Sequence, residues 1–166
     1  MTTEHDFFGA LETDADGAIY WSETVEVGDQ PVDVTVSSPG GQTVTLDGLD
    51  TAAGFVSSLD GLDLRAREAM LSDVDNRNSD VTSFIESTIE EVGDDLLEML
   101  VDRSGDNDVD IIRSLQLVRV AIHPHQSGES APFAAFEFAF DPDNSDLALV
   151  VSLSNRGESV GIELLE

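Results

Sequence analysis

The apolar residues of this chain change period twice, from two to a three-and-four spacing and back to two, and that order limits the fold more than any other feature. A period of two turns one face of a strand toward a core, and a three-and-four spacing does the same for a helix. Ile19, Trp21, Val25 and Val27 alternate with Tyr20, Ser22, Thr24 and Glu26, and only Glu23 interrupts the apolar face. Gly28-Asp29-Gln30 turns the chain into Val32, Val34 and Val36, and Ser37-Ser38-Pro39-Gly40-Gly41 turns it again into Val44 and Leu46. A three-stranded antiparallel meander is expected here.

From Asp47 the spacing becomes helical. Leu49, Ala52, Ala53, Val56 and Leu59 predict a first helix, with Asp50 as N-cap and Gly61 as its stop. A second helix is predicted from about Asp63 to Val74, and a third after a Ser79 or Asp80 cap, burying Val81, Phe84, Ile85, Ile89 and Val92. The third helix is either long or broken at Gly93, because Leu96, Met99 and Leu100 continue its stripe.

The period of two returns after a short helix at 109–114. Val118, Val120 and Ile122 alternate with Leu117, Arg119 and Ala121; Phe136, Phe138 and Phe140 then share one face of a strand. Asp141-Pro142-Asp143-Asn144 turns into Leu147, Leu149, Val151 and Leu153, and Asn155-Arg156-Gly157 into Val160, Ile162 and Leu164. Strands, helices, then strands is an α+β order. The expected fold is one domain over residues 1–166, an antiparallel sheet built from the two meanders with about three central helices on one face.

Charge restricts function as sharply as pattern restricts fold. The net charge is −28, from 35 acids against seven arginines and no lysine, and residues 47–110 carry 18 of the acids against four arginines. No basic stripe is present to release counterions from nucleic acid or to meet an anionic lipid surface, so neither is an expected partner. An Asp-rich, lysine-free surface suits a high-salt cytoplasm, where repulsion is screened, and it also suits encounter with a basic protein. Glu86, Glu90 and Glu91 on the third helix are the candidate contacts for such a partner. The acidic first residues are unlike a signal peptide and no apolar run reaches the roughly 18 residues of a membrane span, so a cytoplasmic protein is expected.

Phe8-Gly9, Tyr20-Trp21, Leu59-Asp60-Gly61-Leu62-Asp63, the run Phe136 to Phe140, Asn144-Ser145-Asp146-Leu147 and Val150-Val151 together resemble a bacterial domain-of-unknown-function family over most of the chain. The resemblance implies a small cytoplasmic accessory protein of a kind that includes toxin-immunity proteins. It carries over no catalytic residue.

Without cysteine, thiolate zinc, iron–sulfur clusters and cysteine nucleophiles are excluded, and without lysine so are Ser–Lys dyads, Schiff bases and P-loops. No cofactor is expected. His123-Pro124-His125 followed by Glu129 places two imidazoles and a carboxylate where they could hold one divalent metal, in the manner of the first cupin motif. Phe136 stands where that motif has glycine, and His5, in the N-terminal tail, is the only further histidine; the bland reading is an exposed loop at a strand end. Asp106, Asp108 and Asp110, and likewise Asp141, Asp143 and Asp146, lack the glycine and closing glutamate of a calcium loop. Arg65 and Arg67 are read as pairing with nearby acids. The first choice of function is a non-enzymatic interaction protein, with an acidic immunity-type inhibitor its most concrete form, and the alternative is a metal-binding domain or metal-dependent enzyme using His123, His125 and Glu129.

Overall fold

The two strongest alternating segments of the N-terminal half pair as predicted. In the computed structural model, which describes residues 2–12, 17–42, 44–101, 103–126, 128 and 130–165, strands β3 (Ile19–Val27) and β4 (Gln30–Ser38) form an antiparallel hairpin with Val27 opposite Gln30. Before them, β1 (Thr2–His5) and β2 (Gly9–Glu12) make a separate two-stranded hairpin. That hairpin is held by Phe8, whose buried ring meets Trp21 edge-on at 5.0 Å between centroids. His5 also ties it down, its Nε2 lying 2.7 Å from Asp50 Oδ1. His5 is thus built into the fold, with a side chain only 6% exposed, and is not part of a loose tail.

The predicted third strand of the first meander does not form. Thr45 instead takes extended φ/ψ and accepts a hydrogen bond from Gly48 N at 3.0 Å, starting α1 (Leu46–Ser57) five residues before the Asp50 cap expected. A β-hydroxyl before a run of helical spacing satisfies an orphan N–H, and that outweighs the weak alternation of Val44 and Leu46. Helix α2 (Leu59–Ser72) follows after Ser58 alone, with Gly61 inside it and not stopping α1. Helix α3 (Asp80–Val92) has the predicted Ser79 cap, whose Oγ accepts from Thr82 N at 3.2 Å. It breaks at Gly93, where a φ of +65° is open to glycine and costly to other residues. One 3-10 turn (Gly93–Asp95), the short α4 (Leu96–Met99) and α5 (Asn107–Arg113) complete the helical stretch.

Strands β5 (Gln116–Ile122), β6 (Ala134–Ala139), β7 (Ala148–Leu153) and β8 (Ser159–Leu165) join β3 and β4 in one six-stranded sheet of order β3-β4-β5-β6-β7-β8. The expected all-antiparallel sheet is corrected at one pair, since β4 and β5 run parallel with Val34 opposite Val120. A parallel neighbour needs a crossover, and the whole helical stretch is that crossover. The alternation at 117–122 is also interrupted. A bulge at Val118 lets Leu117 and Val120 both reach the buried side.

Val32, Val34, Val36, Val120, Ile122, Phe136, Phe138, Leu149, Val151 and Leu153 join the apolar residues of the helices in one core cluster. Residues α2 and α3 bring to it lie against β7 and β8. On the other side of the sheet, Tyr20, Ser22, Glu26, Asp33 and Arg119 are exposed. No helix among the described residues is long and apolar enough to cross a membrane.

Candidate functional site

The three predicted partner contacts stand on one helix whose roll is set from below. Val81 and Phe84 are fully buried and Ile85 nearly so, and the Asp80 carboxylate accepts from Leu164 N of β8 at 2.9 Å, which pins the start of α3 to the sheet. Glu86, Glu90 and Glu91 therefore emerge on the exposed side. Glu90 and Glu91 form one wall of a cleft of about 430 Å³, with residues 144–147 of the β6–β7 connection as the other wall and Asp146 adding a third carboxylate. Glu86 does not line this cleft.

Beside it lies a pit of about 10 Å³ that shares Glu91, Ser145 and Leu147 with the cleft and adds Thr88, Val92, Phe140 and Asp141. Its volume holds about one water-sized group. Asp141 is fixed by the turn it starts: its backbone carbonyl accepts from Ser145 N at 2.9 Å and its carboxylate accepts from Asn144 Nδ2 at 3.1 Å.

Thr88 is the residue that reading the sequence missed. It is 3% exposed, yet its Oγ1 has no hydrogen-bond partner among the described residues. Ile89, predicted for the core, is instead 39% exposed. The spacing Val81, Phe84, Ile85, Thr88, Val92 is the continuous helical stripe, and a hydroxyl on it is the signal that could have identified the position.

The histidine cluster is less exposed than a simple loop. His123 N donates to Phe133 O at 2.7 Å and Gln126 N to His123 O at 3.0 Å, closing a turn that buries Pro124. The two imidazoles stand 6.0 Å apart between centroids, and both side chains are half-buried. His125 faces a pocket of about 170 Å³ under the first turn of α1, lined by Thr45, Asp47, Thr51, Gln126 and Asn155. The approach is close enough that a Cβ on Gly48 would lie 2.5 Å from Pro124 O, so glycine is required there. Burial, aided by the positive charge His123 can carry, pushes the His125 imidazole below its ordinary value, and its buried Nδ1 has no partner. Glu129 lies outside the described residues, and among the described residues no three metal-ligating side chains converge.

The remaining candidates are structural. Asp106 caps α5 by accepting from Asp108 N and Val109 N, and buried Asp110 accepts from Ser104 N at 2.8 Å and Ser104 Oγ at 2.7 Å. Arg67 pairs with Asp63 at 3.2 Å as read, and its guanidinium also lies 5.0 Å above the Phe138 ring. Burial holds the Asp63 carboxyl above its ordinary value although Arg67 pulls the other way. Among the described residues Arg65 reaches no acid; it donates to the Arg156 carbonyl at 3.2 Å and so docks α2 on the β7–β8 turn.

No family model matches this chain, and neither a curated protein nor a solved structure matches it. The chemistry of the cleft therefore rests on its own residues. Three carboxylates around an open groove favour a cation.

Proposed function

We propose that this chain is a non-enzymatic interaction protein that binds a basic protein through the outward side of α3, in the manner of an acidic immunity-type inhibitor. The observation that supports this best is the acidic cleft, where Glu90, Glu91 and Asp146 face one open space of about 430 Å³ with no arginine on its walls. The net charge of −28 works in the same direction over longer range. A field of one sign speeds the approach of an oppositely charged protein, and the gain shrinks as salt screens it. Toxins that cut nucleic acid are themselves basic because they must neutralise phosphates, so an acidic inhibitor can occupy the same surface.

The test uses basic proteins encoded beside this chain's gene, mixed with the purified chain. A complex is expected whose association rate falls as potassium chloride rises. Charge reversal at Glu86→Lys, Glu90→Lys and Glu91→Lys should slow association by about tenfold or more and change dissociation less. A partner whose on-rate ignores both salt and these substitutions removes the acidic face from the interaction.

A second reading has one observation in its favour, the proximity of the His123 and His125 rings, which lets both imidazoles reach one cation. It is tested by metal analysis of chain purified without an affinity tag. One zinc, nickel or manganese per chain, lost in His123→Ala/His125→Ala, would establish it.

A further inference from the structure

We infer that the cleft in the angle between α1 and α2 is a binding site for a small monocarboxylate with an apolar body, held at its charged end by Arg65. No residue of α3 or of the 144–147 connection lines this cleft, so the inference stands apart from the interaction reading above. Two independent observations carry it. One is a cation without an anion: Arg65 lines the cleft and pairs with no acid among the described residues, although the chain has a net charge of −28. Its Nη1 donates to the carbonyls of Arg156 and Gly157 at 3.2 and 3.5 Å, which leaves Nε and Nη2 as spare donors. The other observation is a pair of glycines that the fold leaves unexplained. Gly48 of α1 is forced by Pro124 O, but Gly54 and Gly61, which line the cleft from α1 and α2, have no positive φ, and a Cβ on either would meet nothing within 4 Å. Glycine within a helix is less stable than alanine, so two of them beside one open space point to a group that needs the room.

Shape and charge select the ligand. The cleft measures about 260 Å³, room for about nine waters and so for an acid of about that many non-hydrogen atoms. Phe55 gives it a fixed apolar wall, because its buried ring stands edge-on to buried Phe133 at 5.1 Å between centroids, and Leu62 adds to that wall. At the polar end, the Nε and Nη2 side of a guanidinium presents two parallel donors that match the two oxygens of a carboxylate. Ser58 also lines the cleft, and its hydroxyl does not cap α2, which adds a further donor. A phosphate dianion is disfavoured, since one guanidinium neutralises one charge and the second meets the field of a chain at −28.

The test titrates the full isotope-labelled chain with hexanoate at about 0.15 M potassium chloride, where long-range repulsion is screened, and follows amide, methyl and arginine Nε resonances. Saturable shifts are expected at Gly54, Gly61, Leu62 and Arg65. Hexanamide, which keeps the body and loses the charge, and acetate, which keeps the charge and loses the body, should each bind about tenfold more weakly. Arg65→Gln should weaken hexanoate about tenfold and leave hexanamide unchanged, a split that loosening of α2 alone would not give. Gly54→Ala/Gly61→Ala should melt higher than wild type and already weaken hexanoate, and Gly54→Leu/Gly61→Leu should abolish its binding. Unsaturable shifts, equal binding of hexanoate and hexanamide, or affinity unchanged in Arg65→Gln or in both glycine pairs would each overturn the site. A Gly54→Ala/Gly61→Ala chain that melts lower than wild type would also overturn it, by showing that the fold itself requires these glycines. None of these outcomes involves the three glutamates of α3, so the interaction reading stands or falls by its own test.

Discussion

Two acidic segments of this chain look alike in sequence and behave in opposite ways. At 104–110 the aspartates are used internally: Asp106 accepts from two helix N–H groups, and Asp110, 1% exposed, accepts from the backbone and hydroxyl of Ser104. Along the cleft the carboxylates of Glu90, Glu91 and Asp146 stand open, and the buried hydroxyl beside them is unpartnered. The first cluster holds a loop against α5. The second lines an open groove. Carboxylate density is therefore a poor guide to a binding site, and the better guide is which acceptors remain after local donors have been counted.

The largest expected effect tests the first half of that contrast. Asp110→Ala removes two hydrogen bonds to a charged acceptor and leaves Ser104 N without its partner, so denaturant unfolding should show a loss of about 3 kcal/mol. Asp110→Asn, which keeps one amide oxygen as acceptor, should lose less. A loss under about 1 kcal/mol for Asp110→Ala would place this cluster with the cleft, as surface charge with spare acceptors.

A smaller effect of opposite sign tests the second half. Thr88→Val removes a buried hydroxyl that has no partner, so the melting transition should rise, with a gain of up to about 1 kcal/mol. Most buried substitutions destabilise, so the sign alone is informative. Ser114 is the internal control, because its buried hydroxyl accepts from Val101 N at 2.9 Å, and Ser114→Ala should destabilise.

What could be read from sequence divides along similar lines. Hairpins with strong alternation, such as Ile19 to Val36, are legible because each side chain's facing depends only on its neighbours. The break at Gly93 and the cap at Ser79 are legible for the same local reason. The parallel pairing of β4 with β5 is not, because it depends on where five helices return the chain. Thr45 reads as a strand residue because its capping bond to Gly48 appears only once the helix exists. In the candidate site, the outward glutamates follow from the stripe on α3, but Thr88 does not stand out until the hydroxyl is found without a partner. The β6–β7 wall of the cleft needed the sheet order to bring it beside α3.

The smallest expected effect concerns a second of the buried polar atoms that have no partner among the described residues, His125 Nδ1, and asks whether it belongs with the Thr88 hydroxyl. Burial lowers the affinity of this imidazole for a proton in the folded chain, and His123 lowers it further. The unfolded chain, with the ordinary value of 6.5, then takes up a proton more readily. Stability associated with His125 is accordingly complete above pH 6.5 and is lost as pH falls from there toward the lowered folded value. Followed by ring-proton resonances, His125 should titrate below 6.5 in the native chain, with His123→Gln moving the midpoint up part of the way. His125→Gln should flatten the part of the stability profile that falls from about pH 6.5 toward about pH 5. A native midpoint at or above 6.5 would mean that water reaches Nδ1 in the polar pocket under α1. His125 Nδ1 would then differ from the Thr88 hydroxyl in being an atom that solvent satisfies.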